Sequence, residues 1–306
     1  VTYAGNTRVV LEPTDLSQRS RIESAIEDLN AGGSTAMSSG MELAYELAAK
    51  NLGPDTNSRV IVLSDGDANV GNTSHEAILK TISSKVKEGV TMSTIGLGMG
   101  NYKDSLMEQL ANKGNGNYYY IDGLSQAKRV FQTELGGTLE VVAKDVKVQV
   151  DFDPEVVKSY RLVGYENRDI ADNDFRNDKV DAGEIGAGHS VTAMYEVVLK
   201  KKDAIPATVR MRAKAPKGSK AKETAHAFDL KNSVASFDAA SSDFRFATAV
   251  MGAAEILRES EHAGEWSLKT VVDIARQASD ADSEERQEFI SLMERVAATK
   301  GQLASR

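Results

Sequence analysis

Residues 60–71, VIVLSDGDANVG, form a continuous apolar run that ends in acidic and turn residues. An apolar run of this length, closed by Asp, Gly and Asn, is typical of a strand buried on both faces of a parallel sheet. Asp65 and Asp67 then follow the carboxyl end of the strand, which is the edge where open parallel sheets bind ligands. The same residues also fit a simple Asx-type turn, so the motif alone leaves both interpretations open.

Strands and helices alternate around this run, from Val1 to about Ile121. VTYAG and TRVVLEPT, separated by Gly5-Asn6, indicate a hairpin or closely spaced strands, and VTMSTIGLG and NYYYI indicate two further strands. Helical spacing of apolar residues marks LSQRSRIESAIEDL, where Ile22, Ile26 and Leu29 share a face, and also MELAYELAAKNL, EAILKTISSKVKEG and YKDSLMEQLANKGNG. This alternation predicts a doubly wound, Rossmann-like α/β domain with helices on both faces of a parallel sheet.

The pattern changes after about Leu135. VVAKDVKVQV, YRLVGYENR, HSVTAMYEVVLKK and ATVRMRAKAP alternate apolar and polar residues, as strands of a half-exposed antiparallel sheet do. From SSDFRFATAV onward the spacing is helical, with one apolar stripe made of Phe244, Ala247, Val250, Met251, Ala254 and Leu257. We therefore predict three units: an α/β domain at 1–135, an antiparallel β-sandwich-like domain at 136–235, and a C-terminal helical region at 236–306.

Composition excludes several classes of function. The 306 residues are 41% hydrophobic and 27% charged, which is ordinary for a folded protein, and they carry a net charge of -8. An acidic chain is a poor partner for nucleic acid, whose phosphates are bound by Lys and Arg. The absence of cysteine excludes disulfides and thiolate metal sites, so any metal would be a hard cation held by oxygen. No apolar run reaches the roughly 18 residues that cross a bilayer.

A second motif is expected at the same sheet edge as Asp65. GGSTAMSSG, residues 32–40, places hydroxyl groups between glycines just before a predicted helix. A Ser or Thr there can cap the helix, because its oxygen accepts from the first unpaired amides. If the predicted topology holds, however, Thr35 lies close to Asp65. A hydroxyl and a carboxylate together suit magnesium or calcium.

The succession VTYAG, GGSTAMSSG, VIVLSDGDANVG and TIGLG resembles a von Willebrand factor A domain. The resemblance implies a metal-ion-dependent adhesion site (MIDAS), in which Thr35 matches the second motif and Asp65 with Gly66 the third. Magnesium, with calcium or manganese as alternatives, would keep an open position that a carboxylate from a protein partner fills. DFDPEVVKSYRLVGYENR, DAGEIGAGHSVTAMYEV and SSDFRFATAV resemble the carboxyl-terminal region of bacterial YfbK-type proteins.

The first MIDAS motif, DxSxS, does not occur in the 306 residues. The nearest match, DLSQR at 15–19, ends in Arg and fits a helix start better. The family pattern puts the motif before VTYAG, with the first strand and helix of the domain. We therefore expect little or no specific metal binding by this chain alone. We also expect a gap in the sheet, filled by an upstream segment or another polypeptide unless the domain rearranges.

Other motifs favour simpler interpretations. GLGMGN at 96–101 lacks the glycine spacing and the later acid of a dinucleotide loop. The acidic stretch at 172–181 has Arg176 at a calcium-ligand position and lacks the glycine of an EF-hand, which favours a solvated loop. His75, His189, His226 and His262 each stand alone.

These features lead to one preferred hypothesis, a non-enzymatic protein-binding or adhesion module. The family resemblance implies the bacterial cell envelope, periplasmic or extracellular, with a lipoprotein anchor as one option and any membrane association supplied upstream of Val1. The alternatives are an enzyme that uses Asp65 and Asp67 around magnesium and a metal-independent assembly protein. No P-loop or activated nucleophile motif supports the enzyme.

Overall fold

The computed structural model describes residues 1–4, 6–30, 32, 36–53, 56–64, 75–98, 104–133, 140–165, 169–201 and 204–299. Its contacts group into two compact units. The first comprises Val1–Gln149, Ile170–Thr192 and Arg210–Ala225, and the second comprises Val150–Asp169, Ala193–Val209 and His226–Arg306. The three-domain division predicted from the sequence remains a prediction.

A parallel sheet of three strands lies in the first unit, within the described residues. The strands are β1 (Ser58–Ser64), β2 (Val90–Leu97) and β3 (Tyr118–Ile121), in that spatial order and all parallel. Each coincides with an apolar run predicted to be a strand. Because the strands are parallel, they end at Ser64, Leu97 and Ile121 on the same edge of the sheet, the carboxyl edge.

Helices cover both faces of this sheet, as the doubly wound prediction requires. The helices in this part of the chain are α1 (Arg19–Glu27), α2 (Met37–Ala49), α3 (His75–Lys87), α4 (Asp104–Lys113) and α5 (Leu124–Lys128), which continues as a π-helical turn at Arg129–Thr133. Of these, α2, α3 and α4 cover one face of the sheet and the π-helical turn covers the other, whereas α1 belongs to neither core. One core joins α2, α3 and α4 to Val60, Val62, Val90 and Met92. A second core joins Val130 to Ile95 and Ile121 on the opposite face. Alternation of side chains along the strands accounts for this split.

The amino-terminal segment only partly meets the prediction. Thr2 and Arg8 form an isolated antiparallel bridge, with Thr2 N donating to Arg8 O at 3.0 Å, in place of a full hairpin. Helix α1 forms as predicted, but it buries no residue, and Ile26 of its apolar face is 60% exposed. Helical spacing therefore identified the helix without showing what its apolar face contacts.

The second half of the chain forms two further sheets. Its strands are β4 (Val141–Phe152), β5 (Val157–Val163), β6 (Gly183–Gly186), β7 (Met194–Leu199), β8 (Ala207–Lys214) and β9 (Ala221–Phe228). One sheet has the order β6-β4-β8-β9, and β5 pairs with β7 in a two-stranded ribbon. The pairs β4–β6 and β5–β7 are antiparallel. β6 was not predicted from the sequence, because four residues with two glycines carry no strand pattern.

Three helices form the carboxyl-terminal region: α6 (Ser242–Leu257), α7 (Leu268–Gln277) and α8 (Glu284–Thr299). Their shared core contains Ala249, Leu268, Val271, Ile290 and Met293. The apolar stripe predicted for α6 is not the face that packs into the core shared with α7 and α8. Phe244, Val250 and Leu257 are 40–50% exposed, whereas Ala249, Gly252 and Ala253 are buried. Within the described residues, no helix is both long and apolar enough to cross a membrane.

Candidate functional site

The two predicted metal ligands, Thr35 and Asp65, lie outside the described residues, as do Gly66 and Asp67. Their immediate neighbours are described. Ala36 follows Thr35 and precedes α2, while Ser64, which is 6% exposed, ends β1 directly before Asp65.

Tyr3 connects these two flanking segments. Its backbone carbonyl accepts a hydrogen bond of 2.8 Å from the amide of Ala36. Its phenol hydroxyl donates to the backbone carbonyl of Leu63 in β1. One residue thus binds both the chain next to Thr35 and the chain next to Asp65. The placement of Thr35 and Asp65 themselves stays a prediction, because both lie outside the described residues.

Gly40, the last residue of GGSTAMSSG, allows Tyr3 to lie against α2. A Cβ built on Gly40 would stand 2.5 Å from the Cβ of Tyr3, which is far inside van der Waals contact. Any larger residue would push Tyr3 away from the first turn of the helix. The glycine at this position is therefore explained by the close approach of Tyr3.

A groove lies beside β1. Its volume is about 250 Å³, and it is lined by Val1 and Tyr3, by one face of α2, and by residues 59–62 of β1. β1 is also the terminal strand in the order β1-β2-β3 among the described residues. The gap in the sheet that was expected from the sequence stays a prediction.

The structure also shows an acidic cluster that sequence reasoning missed. Carboxylate oxygens of Asp145, Asp181 and Glu184 lie within 4.8 Å of one another. The amide of Asn115, just before β3, donates to Glu184 Oε1 at 2.9 Å, so the cluster lies near the amino edge of the parallel sheet. The three acids are spread over 40 positions of sequence, and their spacing matches no motif from which the cluster could have been predicted.

The negative charge of the acidic cluster is reduced by a raised pKa at Glu184 and by a neighbouring lysine, Lys214. Burial, followed by the charges of Asp181 and Asp145, raises the pKa of Glu184 from 4.5 to about 8. Partial burial and the Asp145 carboxylate also raise the pKa of Asp181. Lys214 Nζ lies 2.7 Å from Asp145 Oδ2. A protonated Glu184 and the ammonium of Lys214 therefore relieve the repulsion among the three acids.

Comparison with known proteins gives two family matches. A family model described as von Willebrand factor type A domain matches residues 1–133. A second, described as Uncharacterized protein YfbK, C-terminal, matches residues 137–207 and 200–299. Together they cover most of the chain.

Two similar proteins extend over different shares of the chain. Uncharacterized protein YfbK of Escherichia coli K12 is 38% identical over 96% of this chain and 54% of its own length. Uncharacterized protein sll0103 of Synechocystis is 26% identical over 56% of this chain and 40% of its own length. The chain thus spans about half the length, or less, of these relatives.

Solved structures with similar folds include a von Willebrand factor type A protein from Catenulispora acidiphila, at 16% identity and a TM-score of 0.46 over 91% of this chain and 67% of that one. Proximal thread matrix protein 1 of the mussel byssus, with a zinc-occupied MIDAS motif, is 20% identical, with a TM-score of 0.34 over 49% of this chain and 36% of that one. At these identities and TM-scores, neither structure carries an argument about this chain.

Proposed function

Because the chain belongs to the YfbK C-terminal family and carries a von Willebrand factor type A domain at 1–133, we propose that it is a non-enzymatic module that binds a protein partner through a divalent cation. Von Willebrand factor type A domains generally mediate contacts between proteins, and they commonly bind a divalent metal at a MIDAS. The cation site in this chain would contain Thr35 and Asp65 at the carboxyl edge of the sheet. The partner would offer a carboxylate to the metal.

The observation that carries this proposal is the pair of hydrogen bonds made by Tyr3. Ala36 and Leu63, which flank the two proposed ligands, are both held by that residue. The donor chemistry also fits, since a hydroxyl and a carboxylate are the hard oxygen ligands that magnesium prefers. A bound cation would supply a positive charge with a free coordination position. Thr35 and Asp65 would hold it, and Tyr3 would fix the spacing of the segments that carry them.

Two protein ligands would bind magnesium only weakly, because the ion prefers six oxygen ligands. We therefore propose that a further strand, carrying the DxSxS motif, occupies the groove beside β1 and completes the site. The groove offers what such a strand requires: the outer edge of β1 for backbone hydrogen bonds, and Met41, Ala44 and Ala48 of α2 for apolar contact.

Calorimetric titration with Mg²⁺, Mn²⁺ and Ca²⁺ tests this proposal. The 306-residue chain should bind these ions weakly or not at all, whereas a fusion that adds a DxSxS-bearing strand before Val1 should bind at least one of them. In the fusion, Thr35→Ala and Asp65→Ala should each weaken metal binding about tenfold or more. Ser39→Ala, in the first turn of α2, and Asp122→Ala, after β3 at the same sheet edge, are matched exposed controls.

Two results would contradict parts of the proposal. Specific, micromolar metal binding by the 306-residue chain would show that the added strand is not required. Partner binding unchanged by Asp65→Ala would favour the second candidate, a metal-independent assembly role in which the groove itself is the contact surface. The groove beside β1 is the observation that favours this candidate.

We also propose a location in the bacterial cell envelope, periplasmic or extracellular, as the family resemblance implies. Cell fractionation of the natural host with an antibody to this chain would test the location. Recovery of the protein in the cytoplasmic fraction would contradict it.

A further inference from the structure

The acidic segment 172–181, which we call the strap, connects the region after β5 to the start of β6. Most of its side chains are exposed, as expected for a solvated loop. It nevertheless begins with a 3₁₀ turn at Asp172–Asp174 and buries one large side chain, Phe175, to 4% exposure. The strap is therefore anchored to the protein, and the question is what fixes its backbone.

The first fixed point is Lys147 of β4. Its side chain is almost fully buried, at 5% exposure. Its Nζ donates to the carbonyl of Asp174 at 3.1 Å and to that of Asn177 at 2.7 Å. A buried ammonium requires such acceptors, because an unpaired charge inside a protein is very costly. The strap carbonyls therefore turn inward toward this lysine.

The second fixed point is Lys214, at the end of β8 and 9% exposed. Its Nζ donates to the carbonyl of Asp178 at 2.6 Å and lies 2.7 Å from Asp145 Oδ2. Lys214 thus joins the strap to β4 as well as to β8. The two lysines together engage three of the strap's backbone carbonyls.

The carboxylates of the strap also accept from protein donors. Gln149 Nε2 donates to Asp172 Oδ1 at 3.1 Å, and Arg212 donates to Asp178 Oδ1 at 2.7 Å. Asn177 Nδ2 donates to Asp174 Oδ1 at 3.1 Å. A calcium ion would need six to eight oxygens at about 2.3–2.6 Å. Here, oxygens of the kinds that bind calcium already serve ammonium, guanidinium and amide groups.

We propose that the strap is closed by two internal cations, the ammonium groups of Lys147 and Lys214, and that it keeps its fold without calcium. The lysines perform the structural task that a metal performs in other acidic loops, which is to draw several backbone carbonyls toward one positive charge. This inference is independent of the function proposed above, because it concerns no residue of the Thr35 and Asp65 site.

Amide hydrogen exchange of the strap, followed by mass spectrometry, tests the inference. In the natural sequence, protection at 172–181 should be the same with added CaCl₂ and with a calcium chelator. Lys147→Met and Lys214→Met should each speed exchange in the strap about tenfold or more, because hydrogen bonds to charged groups are the stronger ones. Lys179→Met is the matched control, since Lys179 lies in the strap but is exposed, and it should leave protection unchanged.

The outcomes are distinct. A loss of protection on adding the chelator to the natural sequence, or calorimetric binding of calcium that the strap requires, would overturn the proposal. Full protection in both Lys147→Met and Lys214→Met would overturn it too. Protection of α2 and α4, which belong to the same compact unit as the strap, shows whether a variant has lost the strap alone or the fold of that unit. If a variant unfolds, the chelator comparison on the natural sequence still shows whether the strap needs calcium to keep its fold.

Discussion

Position 252 in α6 requires glycine because the ring of Trp266 packs against it. A Cβ at this position would stand 2.4 Å from Cε3 of the indole ring. In most helix interiors Gly→Ala is stabilising by roughly 0.5–1 kcal/mol. Here the added methyl group must displace a packed ring, so we expect Gly252→Ala to lower the free energy of unfolding by about 1–3 kcal/mol.

Urea denaturation measures this difference. Gly183→Ala is the matched control, because no atom lies within 4 Å of a Cβ built on Gly183. We expect the control to change the free energy of unfolding by less than about 0.5 kcal/mol. Equal or greater stability of Gly252→Ala would show that Trp266 does not pack against this glycine.

Glu184 should make stability depend on pH. Its pKa is raised from 4.5 to about 8 in the folded state, chiefly by burial. Between these two values the folded protein retains a proton that the unfolded chain has lost. The free energy of unfolding should therefore fall as the pH rises through this window. Glu184→Gln, which cannot ionise and still offers an oxygen to Asn115, should remove the penalty at high pH.

Denaturation at several pH values between about 5 and 9 tests this expectation. The stability of Glu184→Gln relative to the natural protein should increase as the pH rises. Glu42→Gln, an exposed position on α2, should show no such trend. Parallel pH profiles for Glu184→Gln and the natural sequence would show that Glu184 ionises normally in the folded protein.

Among the elements, α1 and α7 make a clear contrast. Helix α1 has nine residues and none of them is buried, whereas α7 buries Leu268, Val271, Val272 and Ala275. Short helices without tertiary contacts are marginal in water. We therefore expect the amides of 19–27 to exchange close to the rate of an unstructured peptide, and those of 268–277 to be strongly protected.

Hydrogen exchange measured on the 306-residue chain checks this contrast, with α2 and α4 as further protected references. Strong protection across α1 would show that its apolar face, which includes Ile22 and Ile26, is covered by a contact that the described residues do not contain. The sequence pattern predicts α1 and α2 as helices equally well. They differ in burial, because α2 has buried residues and α1 has none.

The helix α6 shows the same limit of sequence reasoning. Its larger apolar residues are the more obvious candidates for a core face, but Phe244, Val250 and Leu257 are exposed. The buried face instead contains Ala249, Gly252 and Ala253. Small residues allow close approach of a neighbouring helix and a ring such as Trp266. Periodicity identifies the helix, but only the partner's shape determines which face packs.

At the scale of the whole molecule, the predicted helical region 236–306 can be tested as a separate protein. The core shared by α6, α7 and α8 draws all of its buried residues from 249–297. We expect the fragment to be helical by circular dichroism and to melt cooperatively. It should be less stable than in the full chain, because it loses Arg161, whose guanidinium lies 3.6 Å from the buried carboxylate of Glu255.

Gly252→Ala in the same fragment provides an internal control, since it should lower the melting temperature further. A fragment with no cooperative transition would contradict the predicted boundary at 236. That result would show that the helices need the strands of the second unit in order to fold.

Much of the architecture could be predicted from local patterns. The apolar runs of β1, β2 and β3, the helical spacing of α2–α4 and the alternation in β4 and β8 are properties of consecutive residues. The cysteine-free, acidic composition likewise restricts metal chemistry to hard cations. Thr35 and Asp65 were predicted from motifs, and their placement stays a prediction because both lie outside the described residues.

The sequence by itself determined the order and kind of the main elements, because hydrophobic periodicity is local and burial of an apolar face is its direct consequence. Only the tertiary structure decided the role of Tyr3, the buried lysines that hold the strap, and the joining of Asn115 to Glu184, which stand 69 positions apart. These depend on distances between residues far apart in the chain, and no spacing in the sequence encodes such distances.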